Sequence, residues 1–258
     1  MSIDQRAAQT GAAVLEVRDV SVHFGGVKAV DGVSLSLTSG KIFGILGPNG
    51  SGKSTLLAAI TRLVPLTRGQ LLFDGEPYDH DPPHVVAKRG IARTFQTVRL
   101  LEGRTVRDNV LLGTDALVKR GRAARRAVEQ RVDEALELTG LTQLQKLRPE
   151  ELSYGYQRRV EIARAIAMNP RLLLLDEPTA GMNKQEREDV SALMRKLQGE
   201  KGLTQLLIEH DVQMMVDTCD YLFAMNFGVL IAEGEPEEVV RDRAVQEAYL
   251  GKRGSKHA

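Results

Sequence analysis

The pattern of apolar and polar positions near the start of the chain predicts strands. Residues 15–22 and 33–37 place apolar side chains at alternate positions, which is typical of strands with one buried face. A second strand pair is indicated by 70–73 and the following Asp74-Gly75, because the central residues of the favoured hairpin turn take positive φ. We therefore predict an antiparallel β subdomain near the N-terminus.

Later apolar runs are continuous rather than alternating. The runs 172–175 and 206–208 are typical of strands that are buried on both faces of a parallel sheet. An earlier short run, 42–46, leads into a glycine-rich loop, after which 54–60 has the spacing of a helix. The order strand, loop, helix predicts an α/β core with a mainly parallel sheet.

The middle of the chain has a different character. From about 97 to 167 the sequence is rich in charge, and its apolar residues recur at helical spacing, which predicts an inserted helical lobe. We interpret an arginine cluster there as a solvated helix face rather than an anion site. The cluster comprises Arg120, Arg122, Arg125, Arg126 and Arg131. Beyond the lobe, 226–228 predicts a late hairpin turn, and Pro236 opens a terminal helix.

Length and composition favour one large domain. The chain has 258 residues, of which 42% are hydrophobic, and we predict a single domain over 14–251 between a loose leader, 1–13, and a frayed tail, 252–258. No apolar stretch approaches the roughly 20 residues that span a bilayer, and the leader lacks the features of a secretory signal. We therefore expect a cytoplasmic protein. The lone Cys219 is interpreted as a buried apolar residue.

The strongest chemical signal is the glycine-rich segment at the predicted strand-to-helix junction. It fits the phosphate-loop pattern, in which two glycines precede a lysine and a hydroxyl residue. The segment comprises Gly47, Pro48, Asn49, Gly50, Ser51, Gly52, Lys53 and Ser54, and Thr55 completes the candidate nucleotide-binding residues. Backbone amides and the helix N-terminus attract phosphate oxygens, Lys53 reaches the β and γ phosphates, and Ser54 can hold Mg²⁺. The segment predicts binding of ATP with Mg²⁺.

Two adjacent carboxylates follow the run 172–175. Asp176 is placed to bind the metal, and Glu177 is the candidate base for an attacking water. A carboxylate after a leucine run often does no more than end a strand, but together with the phosphate loop the pair predicts nucleotide hydrolysis. The predicted fold is then an α/β P-loop ATPase core with a mainly parallel sheet, an N-terminal antiparallel β subdomain and the inserted helical lobe.

A third motif resembles the signature of ABC ATPases. Residues 152–160 read LSYGYQRRV and lead into a helical segment, and the resemblance extends over about 15–250. In that family the signature of one subunit closes over the nucleotide that the other subunit holds. The resemblance therefore implies that Ser153 and the Gly155 amide contact the γ-phosphate of a second ATPase subunit.

Further residues match the family at its spacing. Gln96 resembles the glutamine that joins the two lobes and senses nucleotide, and His210 resembles the switch histidine. The resemblance implies a catalytic set and a metal-binding set, which are Glu177, His210, Lys53 and Gln96 for catalysis and Ser54, Gln96 and Asp176 for the metal. Phe24 resembles the aromatic residue that stacks on adenine, although a phenylalanine after an alternating strand could equally belong to the core.

Three positions depart from the family pattern. Tyr154 and Tyr156 stand where the signature usually has glycine and glutamine, and Asn183 stands where many relatives have aspartate in the loop that crosses the dimer interface. The tyrosines put the contacts of the signature in doubt without changing its identity. Asn183 removes a charge from the communication between the two sites.

Within the ABC group, the chain resembles most the ATPase subunits of branched-chain amino-acid importers. The resemblance is carried by 24–30, 93–96, Tyr154-Gly155 with Arg158-Arg159, 181–183, 208–211 and 248–251. Urea or short-amide importers are built alike, and the ATPase of lipopolysaccharide export shares the tyrosine-containing signature; Asn183 and Glu209 favour the amino-acid group.

The same resemblance implies a set of partners. They are two integral-membrane permease subunits, a second ATPase subunit that is the same chain or a paralogue, and indirectly a solute-binding protein. The chain would then be peripheral on the inner face of the cell membrane. The segment 97–109, which follows Gln96, is the expected surface for a cytoplasmic helix of a permease.

Two other classes of function are alternatives. A non-transport ABC ATPase would act on nucleic acid, but such proteins usually carry long coiled-coil insertions or two ATPase domains, and this chain has one motif set and no sustained heptads. Its formal net charge is +1, from 35 basic and 34 acidic residues, which gives no reason to expect nucleic acid. A scaffold without turnover would lack Lys53, Glu177 or His210, and all three are present.

Overall fold

The computed structural model describes residues 13–114 and 122–254, which form two β-sheets and their surrounding helices. The strands are β1 (Ala13–Phe24), β2 (Val27–Thr38), β3 (Ile42–Leu46), β4 (Arg68–Phe73), β5 (Glu76–Pro77), β6 (Ile91–Arg93), β7 (Leu172–Asp176), β8 (Thr204–Ile208), β9 (Tyr221–Asn226) and β10 (Val229–Gly234). The helices are α1 (Lys53–Ile60), α2 (Pro83–Arg89), α3 (Val106–Leu112), α4 (Arg122–Leu138), α5 (Tyr154–Ala167), α6 (Lys184–Lys201), α7 (Val212–Thr218), α8 (Pro236–Arg241) and α9 (Arg243–Gly254).

The first sheet is the antiparallel subdomain that the alternating segments predict. Its strand order is β2-β1-β4-β5, with every neighbouring pair antiparallel. The turn between β4 and β5 is formed by Asp74 and Gly75, whose φ angles are 53° and 78°. The positive φ values at both positions confirm the hairpin that this dipeptide predicts.

The second sheet is mainly parallel, as predicted. Its order is β10-β9-β3-β8-β7-β6, and the five strands from β9 to β6 run parallel. Only β10 is antiparallel, and it joins β9 through the predicted hairpin turn at Phe227-Gly228. The short strand β6 and helix α2 have no counterpart among the elements that the sequence predicts.

The continuous apolar runs are explained by cover on both faces of the parallel sheet. In β7, Leu172 and Leu174 belong to an apolar cluster with α1 and the antiparallel sheet, whereas Leu173 and Leu175 belong to a cluster with α6 and α7. Both sets are fully buried. A strand with no solvent-facing side has no place for an alternating polar residue.

The charged middle region forms the predicted helical lobe. Helices α3, α4 and α5 enclose a third apolar cluster, which includes Val110, Leu136 and Val160. All three helices lie between β6 and β7 in the chain, so the lobe is an insertion into the parallel sheet. Its apolar cluster adjoins the one that covers the parallel sheet with α6 and α7, because Ile166 of α5 packs against both.

A buried ion pair connects α5 to the segment after β6. Arg158 and Glu161 have side chains that are 0% and 1% exposed, and their charged atoms lie 2.7 Å apart. The Arg158 guanidinium also donates to the carbonyls of Phe95 and Gln96, each at 2.6 Å, and Glu161 accepts the Arg99 amide at 3.0 Å. Burial raises the pKa of Glu161 against the opposing effect of its cationic neighbours. Charged hydrogen bonds thus hold 95–99 against the signature helix.

The ends of the chain lie largely outside the described residues. Of the expected leader 1–13, only Ala13 is described, and it belongs to β1; of the expected tail 252–258, the structure describes the last three residues of α9.

In the arginine cluster, Arg125 and Arg126 are exposed, and Arg120 is outside the described ranges. Cys219 is buried beside Met215, and burial raises the pKa of its thiol. None of the helices described is long and apolar enough to cross a membrane.

The buried pair in α5 predicts a large effect on stability. Glu161→Ala leaves the Arg158 charge buried without its carboxylate, and we expect it to lower the free energy of unfolding by about 3–5 kcal/mol. The control is Glu188→Ala in the exposed Lys184–Glu188 pair, for which we expect a change below about 0.5 kcal/mol. Urea unfolding followed by circular dichroism measures both. Equal small changes in the two variants would contradict this account.

Candidate nucleotide site

The phosphate loop connects β3 to α1 at the carboxyl edge of the parallel sheet. Asn49 and Gly50 are exposed at its crest, and Ser54 and Thr55 are the second and third residues of α1. Gly52 precedes the helix with φ 100°, and a Cβ there would lie 2.2 Å from the carbonyl oxygen of Ala29. Only glycine therefore fits this position, where the loop packs against β2.

The Lys53 ammonium lies against the loop itself. It donates to the carbonyl oxygens of Gly47 at 2.7 Å and Pro48 at 3.0 Å, and the Ser51 hydroxyl lies 3.4 Å away. The Ser51 amide donates in turn to the Pro48 carbonyl at 3.1 Å. The loop is thus folded around the cation that is expected to meet the phosphates.

Two of the three candidate metal ligands, Ser54 and Asp176, lie next to each other. Asp176 ends β7, and its Oδ1 accepts from the Ser54 hydroxyl at 3.4 Å. A hydroxyl and a carboxylate are ligands that Mg²⁺ accepts when phosphate and water complete its shell. Among 13–114 and 122–254, no group of three or more histidine, cysteine or acidic side chains could hold a metal by itself. The pair fits an ion whose remaining ligands come from phosphate and water.

An arginine that sequence reasoning did not single out also holds Asp176. Arg93, the last residue of β6, donates to Asp176 Oδ2 at 2.7 Å, and its side chain is only 10% exposed. The contact arises because β6 and β7 are neighbours in the sheet. The segment 93–96 marked Arg93 in the sequence, but its partner depends on the strand order.

Three of the four predicted catalytic residues converge on one carboxylate. Glu177 Oε1 lies 2.6 Å from His210 Nε2, and Glu177 Oε2 accepts from Gln96 Nε2 at 2.8 Å. Glu177 has φ 48°, which is uncommon and costly for a residue with a side chain. The fourth predicted catalytic residue, Lys53, lies in the phosphate loop. Gln96, which was also expected at the metal, is paired with Glu177 and not with Asp176.

Glu209 is a second residue that sequence reasoning left without a role in the site. It is 3% exposed, and its Oε1 accepts from both the amide and the hydroxyl of Thr179, at 2.7 and 2.6 Å. Its Oε2 accepts from the His210 amide at 3.2 Å. Glu209 therefore ties the loop that follows Glu177 to the end of β8, where His210 lies.

The signature residues stand at the start of α5, beside α6. Ser153 precedes the helix, and its hydroxyl lies 3.4 Å from Oε1 of Glu186. Glu186 is in the first turn of α6. Gly155 is buried, and a Cβ there would lie 3.0 Å from the same oxygen. Tyr154 and Tyr156 are 38% and 40% exposed. Ser153, Tyr154 and Tyr156 are thus exposed at the start of α5, while Gly155 lies against Glu186.

Phe24 and Asn183 have clear structural positions. Phe24 is the last residue of β1 and is 51% exposed, so it is not a core residue. Asn183 caps α6: its Oδ1 accepts the Glu186 amide at 3.0 Å, and Glu186 Oε2 accepts the Asn183 amide at 3.2 Å. An asparagine can therefore meet the local requirement for a helix cap at this position.

Comparison with known proteins identifies the family. A model of the ABC transporter family matches residues 30–180. The chain belongs to the ABC transporter family. A second model, of branched-chain amino acid ATP-binding cassette transporters, matches 229–254. ABC ATP-binding subunits bind nucleotide and hydrolyse ATP in a transporter, and this chain is such an ATPase.

Relatives cover nearly the whole of this ABC ATPase. The chain is 38% identical to the high-affinity branched-chain amino acid transport ATP-binding protein BraF of Pseudomonas aeruginosa, with 92% of this chain and 98% of BraF covered. It is 35% identical to LivG of Escherichia coli, a protein of the same description, with the same coverage. The sulfate/thiosulfate import ATP-binding protein CysA of P. aeruginosa is 34% identical, with 91% of this chain and 70% of CysA covered.

Solved ABC cassettes have the same fold. The ADP conformation of MJ1267, an ATP-binding cassette of an ABC transporter, is 33% identical, with a TM-score of 0.84 and coverage of 93% of this chain and 99% of that one. A dimeric post-hydrolysis state of the cassette MJ0796 with ADP and Pi is 28% identical, with a TM-score of 0.74 and coverage of 86% and 98%.

The exposed ring at the end of β1 generates a binding prediction. If Phe24 stacks on adenine, Phe24→Ala weakens ATP binding by about 1–3 kcal/mol, and Phe24→Trp restores it, because both aromatic rings offer a π-face. Val27→Ala is the control, since Val27 pairs with Phe24 across the hairpin and is 65% exposed. Calorimetric titration with a non-hydrolysable ATP analogue measures the affinities. Equal affinity of the Phe24→Ala and Val27→Ala variants would exclude stacking.

Proposed function

We propose that the chain is the ATP-hydrolysing subunit of a branched-chain amino-acid importer, in which it drives separate permease subunits. The observation that carries this proposal is the match of 229–254 to the branched-chain cassette model, in a chain whose Glu177 is paired with His210 and Gln96. The names of BraF and LivG point to the same class of solute. The name of CysA contains a different solute, although its identity to this chain is similar. The identity of the solute therefore has to be decided by experiment.

ATP binding is assigned to the phosphate loop and its surroundings. The loop amides and the start of α1 face the phosphates, the Lys53 ammonium moves from the loop carbonyls to the β and γ phosphates, and Phe24 stacks on adenine. Ser54 and Asp176 would hold Mg²⁺, and the ion would supply positive charge to the phosphate oxygens. Gln96 is expected to approach this ion through its carbonyl oxygen while its amide nitrogen faces Glu177.

Hydrolysis is assigned to the Glu177 cluster. The Glu177 carboxylate polarises a water for in-line attack on the γ-phosphorus, and His210 holds the water and the γ-phosphate in line. Gln96 donates to one carboxylate oxygen of Glu177, and His210 contacts the other. The two contacts together fix the orientation of the carboxylate. Catalysis of this kind depends on positioning and preorganised charge, which the hydrogen bonds to Glu177 supply before nucleotide binds.

A second ATPase subunit, the same chain or a paralogue, is assigned to complete each site. Ser153 and Gly155 lie at the start of a 14-residue helix, where backbone amides and the helix dipole favour an anion. Within one chain their neighbour is Glu186, a carboxylate, which leaves the γ-phosphate contact to the opposite subunit. The MJ0796 cassette is a dimer with ADP and Pi, which supports this arrangement.

The permease surface is assigned to the segment after Gln96. Leu101 is 49% exposed there, and Val98 is half-buried. From beneath, Arg164 donates to the Arg99 carbonyl at 2.6 Å, and the Leu101 amide donates to Asn109 at 2.7 Å. A segment that is anchored by these hydrogen bonds and carries an exposed leucine is suited to receive a permease helix. The chain would then be peripheral on the inner face of the membrane, with a solute-binding protein acting through the permeases.

The dimer mechanism predicts the behaviour of Glu177→Gln. This variant keeps size and hydrogen bonding but loses the carboxylate that polarises water, so steady-state hydrolysis is expected to stop while ATP traps a dimer. Size-exclusion chromatography with light scattering, in Mg²⁺-free buffer, should show the dimer with ATP and not with ADP. Adding Ser153→Arg should dissolve it.

The same experiment distinguishes the two kinds of dimer. If Glu177→Gln is monomeric alone and dimeric with a paralogous subunit, the working enzyme is a heterodimer. Wild-type turnover by Glu177→Gln, or association that is independent of nucleotide in both mixtures, would refute the mechanism.

The importer assignment predicts stimulation by a particular solute. In the reconstituted complex, binding protein loaded with leucine, isoleucine or valine should raise the ATPase rate, whereas urea or sulfate should not. Leu101→Asp should abolish this stimulation and weaken co-purification with the permeases. Leu63→Asp is the matched control, because Leu63 is 50% exposed outside the proposed surface. Stimulation by urea or sulfate alone would assign another solute, and equal effects of the two aspartates would refute the permease surface.

A further inference from the structure

The C-terminal helix α9 reaches the phosphate loop through one hydrogen bond. The Gly47 amide donates to the Tyr249 hydroxyl oxygen at 2.8 Å. Tyr249 is half-buried, and burial raises the pKa of its hydroxyl, so the group is neutral at physiological pH. Tyr249 lies in 229–254, which matches the branched-chain cassette model, whereas the loop lies in 30–180, which matches ABC transporters generally. The bond therefore connects the more specialised segment to the general one.

Gly47 links Tyr249 to the Lys53 ammonium. Its buried amide is bound by Tyr249, and its carbonyl accepts from Lys53 Nζ at 2.7 Å. A Cβ at this position would lie 2.3 Å from the Met225 carbonyl oxygen, so glycine is required there, and glycine has the widest backbone freedom. A hydrogen bond that holds the amide of such a residue restricts the direction of its carbonyl, and with it the position of Lys53.

Packing beneath α9 is open near this contact. A cavity of about 360 Å³ lies between the helix and the end of β3, and its lining residues are Leu46, Val212, Val240, Val245, Gln246 and Tyr249. Close packing restricts the position of a helix, and an open cavity removes part of that restriction. The Tyr249 hydroxyl therefore adds a directional contact to the apolar packing that α9 makes through Val245.

We infer that Tyr249 is a positioning residue for nucleotide binding, which holds the phosphate loop in the conformation that presents Lys53. Docking of α9 and binding of nucleotide then stabilise each other, because coupling between two events is reciprocal. This inference rests on the proposed nucleotide site at the loop. Without the hydroxyl, the buried Gly47 amide loses its partner, and the loop gains conformations that do not present Lys53.

The test is Tyr249→Phe, with Tyr78→Phe as the matched control. Tyr78 is also buried, and its hydroxyl donates to the Ile60 carbonyl at 3.1 Å, at the opposite end of α1. Tyr249→Phe is expected to weaken ATP binding about five- to a hundredfold, the effect of one buried unsatisfied amide. Tyr78→Phe is expected to lower the melting temperature and to keep the wild-type affinity. Calorimetric titration and thermal unfolding measure these effects.

Hydrogen exchange provides a readout that does not require nucleotide. In the nucleotide-free Tyr249→Phe protein, amides of 47–53 should exchange faster than in the wild type. ATP should slow exchange in 243–249 of the wild type, and should no longer do so in Tyr249→Phe. Mass spectrometry of proteolytic fragments measures both segments.

Three outcomes would overturn the inference. They are wild-type affinity in Tyr249→Phe, unchanged exchange in 47–53, and equal loss of affinity in the two phenylalanine variants, which would indicate a general effect of stability. Lys53→Ala separates this inference from the site on which it rests. If Lys53→Ala binds ATP normally, the proposed site is wrong and the inference with it; if Lys53→Ala loses binding and Tyr249→Phe does not, only the inference is wrong.

Discussion

The parallel pairing of β6, β7, β8 and β3 is the constraint on which the site depends. Parallel strands place their carboxyl ends at the same edge of a sheet, so the residues that follow each strand become neighbours. In this register Ile208 pairs with both Asp176 and Ile45, and Leu174 pairs with Arg93. A slip of one residue between β7 and β8 would displace Glu177 from His210 by about 3.3 Å and turn their side chains to opposite faces.

Sequence reasoning succeeded where the chemistry is local. The phosphate loop needs only a strand end, glycines, a lysine and a helix start, and all of these lie within one short segment. Continuous runs such as 172–175 also predicted buried strands correctly, because cover on both faces of a sheet excludes alternation. The hairpin at Asp74-Gly75 was also predictable, because the dipeptide itself meets the backbone requirement of the turn.

Other features depend on contacts between distant segments. Arg93 and Glu209 are polar residues at strand ends, and their roles follow from the neighbour that the sheet order gives them. The ring of Phe24 could have been in the core, because the alternation of β1 continues to its last residue; its exposure depends on what the fold places above it. The Gly47–Tyr249 bond spans 202 positions, and no local pattern indicates it.

The two lobes are joined by directional contacts as well as by apolar packing, in which Ile162 and Ala165 of α5 belong to the cluster of the parallel sheet. The helical lobe has its own apolar cluster, and the segment 95–99 is attached to α5 by charged hydrogen bonds from Arg158 and Glu161. Apolar surfaces tolerate sliding, whereas such bonds fix one relative position. The start of α5 and the segment after Gln96 therefore belong to the same rigid unit, and a displacement of one displaces the other.

Arg93 gives Asp176 a counter-charge that belongs to the protein. A carboxylate that is 6% exposed would be costly to leave uncompensated, and a partner guanidinium at 2.7 Å offsets part of that penalty. The two oxygens of Asp176 have different neighbours, since Oδ2 is neutralised by Arg93 and Oδ1 faces Ser54. An enzyme that empties its site in every cycle must tolerate the vacant state. Because the Arg93 guanidinium stays paired with Asp176, this cassette keeps a counter-charge at that carboxylate between turnovers.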